Sequence, residues 1–397
     1  MTNTSSARLL LVVDSLDVGG AEWHVVELAG ALRRRGRDVE VACSAGGELE
    51  PRLEAAGIRV HVLGTCRVRR RTSPVYAWRL RRLVTAREVE LVHAHVFASE
   101  VAAALAVAGM GIPLVVTAHS EACWMGPASR RWLDLIRRRA DHVIAVTSGL
   151  AQRALARGWG GGNVSLVATA VARATAVAAS SMRRDGHGGA HIGVVGRLVP
   201  EKGIDVLLEA AALLTNRFEN LRVSIVGDGP ERLRLERQAG RLGLDRTVCF
   251  LGTRLDVPRL MPRFEVLAVP SRSEGAPRVV LEAMAAGVPV VASAAGGIPE
   301  QIVAGRGGIL VPPGNVSALA GALATVLSQP QLAERLGEAG RAEAEARDFD
   351  ATMDTVESIY RGAVPARVAK ARSHAGHQVG IVRWGTANPP SGPDHRI

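Results

Sequence analysis

Apolar positions along this chain alternate between two rhythms. A short apolar run at Leu9–Asp14 is followed by a glycine pair in Asp17-Val18-Gly19-Gly20, then by apolar residues at helical spacing over Ala21–Arg34, stopped by Gly36. A continuous run bounded by turn residues predicts a strand buried on both faces, and the longer period predicts a helix lying across it. The pair of rhythms recurs, with strands at Asp38–Ser44, Leu91–His95, Pro113–His119 and His142–Val146 and helices opening at Ser99 and Ser148. Strands alternating with helices predict a parallel sheet covered on both faces.

The rhythm lapses between Ala168 and Ala190, where small and polar residues end in a Gly-rich stretch, and then restarts. Strands are predicted at His191–Val195, Leu221–Val226, Val248–Leu251, Val266–Pro270 and Pro289–Ser293. Helices are predicted at Gly203–Leu214, Pro230–Leu242, Arg278–Ala286 and Pro299–Ala304. The reading is therefore α/β, with two Rossmann-like, doubly wound parallel-sheet domains in series. Their limits are 1–172 and 191–345, with a linker at 173–190, a closing helix within 346–361 expected to cross back to the first domain, and a flexible basic tail at 362–397. Two such sheets leave a cleft between their carboxyl edges, where ligands of this architecture bind.

Length agrees, since 397 residues exceed what one hydrophobic core usually organises. Lys and Arg exceed Asp and Glu by 49 to 38, an excess that favours anionic partners without choosing among them. Cys43, Cys66, Cys123 and Cys249 are scattered with no CxxC pair, so neither a disulfide framework nor a zinc site is indicated, and reduced thiols in a cytoplasmic protein are expected. The apolar run near the N-terminus is too short for a signal or a spanning helix, so neither export by a leader nor membrane crossing is expected.

Chemistry gathers in Pro270–Val290, where Glu274 and Glu282 stand among Gly, Ala, Pro and Val. On the predicted elements Glu274 ends a parallel strand and Glu282 lies inside the next helix, and both would face the cleft. A carboxylate accepts two hydrogen bonds at once, which suits sugar hydroxyls and the cis-diol of a ribose. The free N–H groups of Arg278 and Val279 at a helix start suit a diphosphate. Taken alone, Glu282 reads more readily as an ion-paired helix residue and Glu274 as a solvated loop residue.

The stretch Ser273–Glu300, SEGAPRVVLEAMAAGVPVVASAAGGIPE, resembles without a gap the E-x7-E segment of the retaining glycosyltransferases of family four. GRLVPEKGIDVLLEA at 196–210, VGDGPER at 226–232, FLGTR at 250–254, DVGGAEWHVVELAGAL at 17–32 and LVHAHVFASEVAAALA at 91–106 extend the resemblance in the same order. It implies the GT-B fold. By position, Arg197 and Lys202 match the residues that hold the donor diphosphate and steady charge on the departing nucleotide, in place of a metal. Gly19 and Gly20 match the family's glycine loop, and His119 the histidine beside the donor sugar. Glu274 matches the residue that contacts the transferred sugar, Glu282 the one that grips the ribose. Gly275 and the residues after it let the backbone approach the ligand closely, and Ala276 departs from the bulkier residue common there. Pro277 lacks an N–H but suits a helix start.

Other signals have plainer readings. His93 and His95 share one face of a strand, but two histidines without a third ligand do not make a metal site. Asp348-Phe-Asp350 looks like a metal-binding DxD yet opens the last helix, where acids cap free N–H groups. Gly227-Asp-Gly229 lacks the third glycine of a dinucleotide fingerprint. Arg67–Leu83 carries seven Arg and no acid, with Tyr76, Trp78 and Leu80 between them. That pattern fits peripheral contact with an anionic membrane, recognition of an acceptor phosphate, or an ordinary exposed helix. A chain with two Tyr and five Phe lacks the stacking aromatics of a nucleic-acid binder.

The resulting expectation is a metal-independent, retaining glycosyltransferase moving a sugar from a UDP- or GDP-linked donor to an acceptor hydroxyl on a glycan, a glycolipid or a small molecule. The donor is a substrate and no cofactor is expected. The chain would work in the cytoplasm, free or at the inner face of the membrane on a lipid-linked acceptor. Rival readings are a nucleotide-sugar epimerase, a phosphorylase-like enzyme and a non-catalytic donor-binding subunit. Scarce lysine counts against the phosphorylase, and intact Arg197, Lys202, Glu274 and Glu282 count against the subunit.

Overall fold

The computed structural model describes residues 8–64, 73–120, 130–171, 190–302 and 306–369. The first sheet is built from β1 (Leu9–Ser15), β2 (Val39–Ala45), β3 (Arg59–Val62), β4 (Leu91–His95), β5 (Leu114–Ala118), β6 (His142–Ala145) and β7 (Val164–Leu166). Its helices are α1 (Gly20–Arg34), α2 (Glu50–Ala55), α3 (Pro74–Ala86), α4 (Phe97–Ala106), α5 (Arg130–Arg139) and α6 (Ser148–Ala156). Strand order is β3-β2-β1-β4-β5-β6-β7. Every paired register is parallel.

The second sheet holds β8 (His191–Val195), β9 (Arg222–Val226), β10 (Val248–Gly252), β11 (Val266–Val269), β12 (Val290–Ser293) and β13 (Gly308–Val311). The order is β10-β9-β8-β11-β12-β13, again parallel. Its helices are α7 (Ile204–Leu214), α8 (Arg232–Arg241), α9 (Val257–Leu260), α10 (Arg278–Ala285), α11 (Ile298–Gln301), α12 (Val316–Ser328) and α13 (Pro330–Glu345). The last helix, α14, spans Phe349–Ala369. Each sheet is covered on both faces: one pair of apolar clusters encloses the first and another pair the second. That is why the strands read as unbroken Leu, Val and Ala runs. Strand order reverses between β1 and β4 and between β8 and β11, and these are the switch points where doubly wound sheets open a crevice.

Helix α14 belongs by contact to the first domain. Met353, Val356, Ile359, Tyr360 and Ala363 are buried in the same cluster as β1 and α1. Arg35 pairs with Asp350 and Asp354, and Arg37 with Glu357. Asp348 accepts from the Asp350 amide at 2.8 Å, so the DxD look-alike caps a helix. Two expectations need correction here. The helix continues to Ala369, so a tail boundary at 362 falls within it, because Ala363 still has a core to pack against. In the basic segment, Tyr76 and Leu80 are not interfacial. Both are buried under α3, whose N-terminus is capped by Ser73, and only Trp78 is exposed, with Arg82 stacked over it at 5.0 Å. Arg67 and Arg69 to Arg71 lie outside the described residues, as do nearly all of the 173–190 linker and the tail beyond 369. Among the described residues no helix is long and apolar enough to cross a membrane.

Candidate active site

Four loops at the carboxyl edges of the two sheets carry the candidate residues. After β1 come Gly19 and Gly20, after β5 comes His119, after β8 come Arg197 and Lys202, and after β11 come Glu274 and Gly275. The strand period dictates this placement, since in a parallel sheet all the strands end on the same edge. The two edges meet face to face. A Cβ built on Gly275 would stand 1.9 Å from the His119 carbonyl oxygen of the other domain, so only glycine admits this approach. The same loop is held from behind by Gly296, whose φ of +54° and contact with the Glu274 carbonyl also require glycine. The Gly297 amide donates to the Gly275 carbonyl at 2.8 Å.

Lys202 and Glu274 come together. Lys202 Nζ donates to Glu274 Oε1 at 2.5 Å, and Ser271 Oγ donates to the same oxygen at 2.7 Å. Glu274 is buried whereas Lys202 is partly open to the cleft. Their loops are tied by the Arg272 amide, which donates to the Glu201 carbonyl at 2.8 Å, and by the fork of Arg272 on Asp205. The Arg197 loop is braced by the 226–232 segment: the Leu198 amide donates to the Asp228 carbonyl and the Glu231 amide to the Leu198 carbonyl. The glycines of that segment serve this packing: a Cβ on Gly227 would stand 2.0 Å from the Gly196 carbonyl oxygen and one on Gly229 2.4 Å from that of Leu198.

Glu282 and Arg278 take the ion-paired arrangement. Arg278, at the first turn of α10, donates from Nη2 to Glu282 Oε1 at 2.8 Å and grips Glu27 of α1 with both terminal nitrogens, Nη2 at 3.0 Å. All of this lies in a buried setting, and the two carboxylates raise the guanidinium pKa against the opposing effect of burial. The Arg278 and Val279 backbone amides stand at the helix start as expected, with Pro277 just before it. Ala276 is half-buried and packs against the first-domain core. A second bridge joins the lobes where Glu300 accepts from the Ser148 amide and hydroxyl at 2.7–3.1 Å.

Sequence reasoning missed several groups that line this region. Glu22 folds back over Gly19, its Oε2 filling the space a Cβ would take. Burial pushes its carboxyl up to about 7, against the pull of its own amide and of Arg197. His24, one residue beyond Trp23 on α1, joins His95 and His119 in a cluster whose ligating atoms lie within 4.8 Å of one another. Burial moves His24 down to about 4 and holds His95 and His119 well below the usual imidazole range. The helical period of Ala21–Arg34 puts His24 and Glu27 on neighbouring faces toward the cleft, and that was the available signal. His93 has both ring nitrogens engaged, by Tyr360 Oη at 2.6 Å and Thr117 Oγ1 at 2.7 Å, which makes it a core residue.

Two family matches divide the chain as the sheets do: residues 19–170 match the glycosyl transferase 4-like domain and residues 185–343 the glycosyl transferases group 1. A D-inositol 3-phosphate glycosyltransferase of Gordonia bronchialis is 30% identical, over 89% of this chain and 86% of its own length. This chain is a group 1 glycosyltransferase of family four. The glycosyltransferase is also 36% identical to an alpha-D-kanosaminyltransferase of Streptomyces kanamyceticus. That match covers 42% of this chain and 44% of the relative, less than half of either. Its architecture superposes on HepE of Anabaena, solved in complex with UDP-glucose, with a TM-score of 0.78 and 27% identity over 89% of this chain and 99% of that one. The two parallel-sheet domains are thus those of a GT-B transferase.

Proposed function

We propose that this transferase is retaining and needs no metal for transfer, moving a sugar from a UDP- or GDP-linked donor to an acceptor hydroxyl. The observation that carries the reading is the Lys202–Glu274 pair, set where the Gly275 backbone meets His119 across the lobes. An ammonium has three donors, so Lys202 can keep Glu274 and still donate to a phosphate oxygen. Arg197, exposed on the adjoining loop, adds a second cation. The bound UDP and glucose of HepE support a nucleotide-sugar donor.

In this reading the diphosphate lies between Arg197, Lys202 and the first amides of α10, the sugar between His119 and Glu274, and the ribose against Glu282. As the glycosyl C–O bond breaks, its electrons go to the diphosphate oxygen, where the two cations stabilise the new charge. The acceptor hydroxyl forms its bond to the same face of the sugar and passes its proton to that leaving oxygen. The neutral imidazole of His119 orients the sugar without adding a competing positive charge. Approach of the lobes excludes water, which would otherwise hydrolyse the donor. A panel of nucleoside diphosphates and their sugars tests the donor class by thermal shift. UDP or GDP should raise the melting temperature by mass action, and no shift with any of them would refute the reading.

A further inference from the structure

The geometry points to a binding site for one divalent transition-metal ion of the zinc class, formed by His24 of α1, His95 at the end of β4 and His119 after β5. It shares His119 with the transfer reading, which sets that imidazole beside the sugar, so ion and sugar would compete for it; the site is one of the donor-free chain, and its existence does not depend on that reading. The ring centroids are 5.6 Å apart for His24 and His95, 5.1 Å for His24 and His119, and 5.4 Å for His95 and His119. Imidazoles bound to zinc at about 2.0–2.1 Å, with about 110–120° between bonds, would place their centroids about 5.2–5.5 Å apart. The three rings already stand at that spacing, with one ligating atom of each within 4.8 Å of the others. His95 Nδ1 and His119 Nε2 are 3.1 Å apart, near the roughly 3.3 Å that two donors of a tetrahedral zinc subtend.

His95 is fixed on one side only: its Nδ1 faces His119, and its Nε2, across the ring, is buried with no hydrogen-bond partner among the described residues. His93, tilted 40° against it with centroids 4.1 Å apart, has both nitrogens fixed by hydroxyl partners, so of the two strand histidines only His95 has a nitrogen available to an ion. His24 and His119 are only partly buried, so the cluster is not sealed from solvent. The nearby charges, Arg278 and Glu27, form an ion pair, which limits the repulsion an isolated arginine would exert.

The test uses the full chain stripped by chelator, with no donor or acceptor present. Loss of the transferase reading would therefore leave it untouched, and its failure would leave that reading untouched. Calorimetry with Zn2+ and visible spectroscopy with Co2+ should show one equivalent bound per chain, with the intense bands of a four- or five-coordinate Co2+. His24→Gln and His119→Gln should each weaken Zn2+ by at least about tenfold, the lower end of what even an outer-sphere partner contributes. Equal affinity in wild type and both variants, or a pale six-coordinate Co2+ spectrum, would overturn the proposal. Should a variant fail to fold, histidine nitrogen NMR of the wild type decides. One equivalent of Zn2+ moves the resonances of His24, His95 and His119 together if the site exists, and moves only other histidines if it does not.

Discussion

Replacing Glu27 by Gln strips one carboxylate from a buried arginine and should loosen the contact between the lobes. Arg278 is 8% exposed and is held by Glu27 across the cleft and by Glu282 one turn along its own helix. Removing one partner of a buried pair costs about 3–5 kcal/mol when the remaining charge is left uncompensated. Here Glu282 still compensates, so roughly half, about 2 kcal/mol, is expected from the lost charge-assisted bonds. For domains of this size that corresponds to a fall of about 4–8 °C in melting temperature. Scanning calorimetry of wild type and Glu27→Gln reads the shift, and repetition in high salt should leave most of it, because buried pairs are poorly screened. The apolar triple variant Glu27→Leu, Arg278→Met, Glu282→Leu should restore most of the loss, since no member of the buried triad then remains charged. A single variant within 1 °C of wild type, or a triple variant as unstable as the sum of the singles, would refute this view of the interface.

Lys202→Ala should lower turnover by about 10²–10³-fold, the usual effect of removing a charge-stabilising donor, with circular dichroism unchanged; near wild-type turnover would contradict its role. Gly275→Ala places a methyl 1.9 Å from the His119 carbonyl, so the lobes must separate locally. The thermal shift given by donor nucleotide should shrink or vanish. Glu100 is fully buried beside Asp14, and burial raises it from 4.5 to about 8. A carboxyl with a raised folded pKa binds more protons folded than unfolded between 4.5 and 8, so its contribution to stability is lost as pH rises through that window. The depressed histidines oppose this slope, since an unfolded imidazole of ordinary pKa about 6.5 still binds protons there, but they act alike in wild type and Glu100→Gln. Urea unfolding should show the stability of wild type relative to Glu100→Gln falling from pH 6.5 to 8; parallel profiles would contradict the assignment.

The parallel sheets were legible because strands buried on both faces leave unbroken apolar runs, as β1, β4 and β11 do. Edge strand β3, Arg59–Val62, was passed over because it is short, polar and half-exposed, and so leaves no such run. The E-x7-E segment was legible because Glu274, Gly275 and Arg278 are near neighbours in sequence, and their loop and helix follow from local pattern. What they touch was not legible. Glu27 and Arg278 stand 251 positions apart, and no local period reports an ion pair made when two domains meet. His24 hid for the same reason: the period of α1 turns it toward the cleft but does not report its partners, and only the fold of the first domain brings it to His95 and His119. Tyr76 and Leu80 misled because an Arg-rich segment was read by composition, although helical spacing alone would have put both on the buried face of α3.

The central claim is that Arg197 and Lys202, with the first amides of α10, hold the donor diphosphate. A crystal structure of the full chain with UDP or GDP, grown in the presence of chelator, tests it most directly. The expected result is a β-phosphate oxygen about 2.7–3.2 Å from both Lys202 Nζ and the Arg197 guanidinium, with the ribose against Glu282. A diphosphate bound away from both cations, or nucleotide that binds only after a divalent ion is restored, would contradict it.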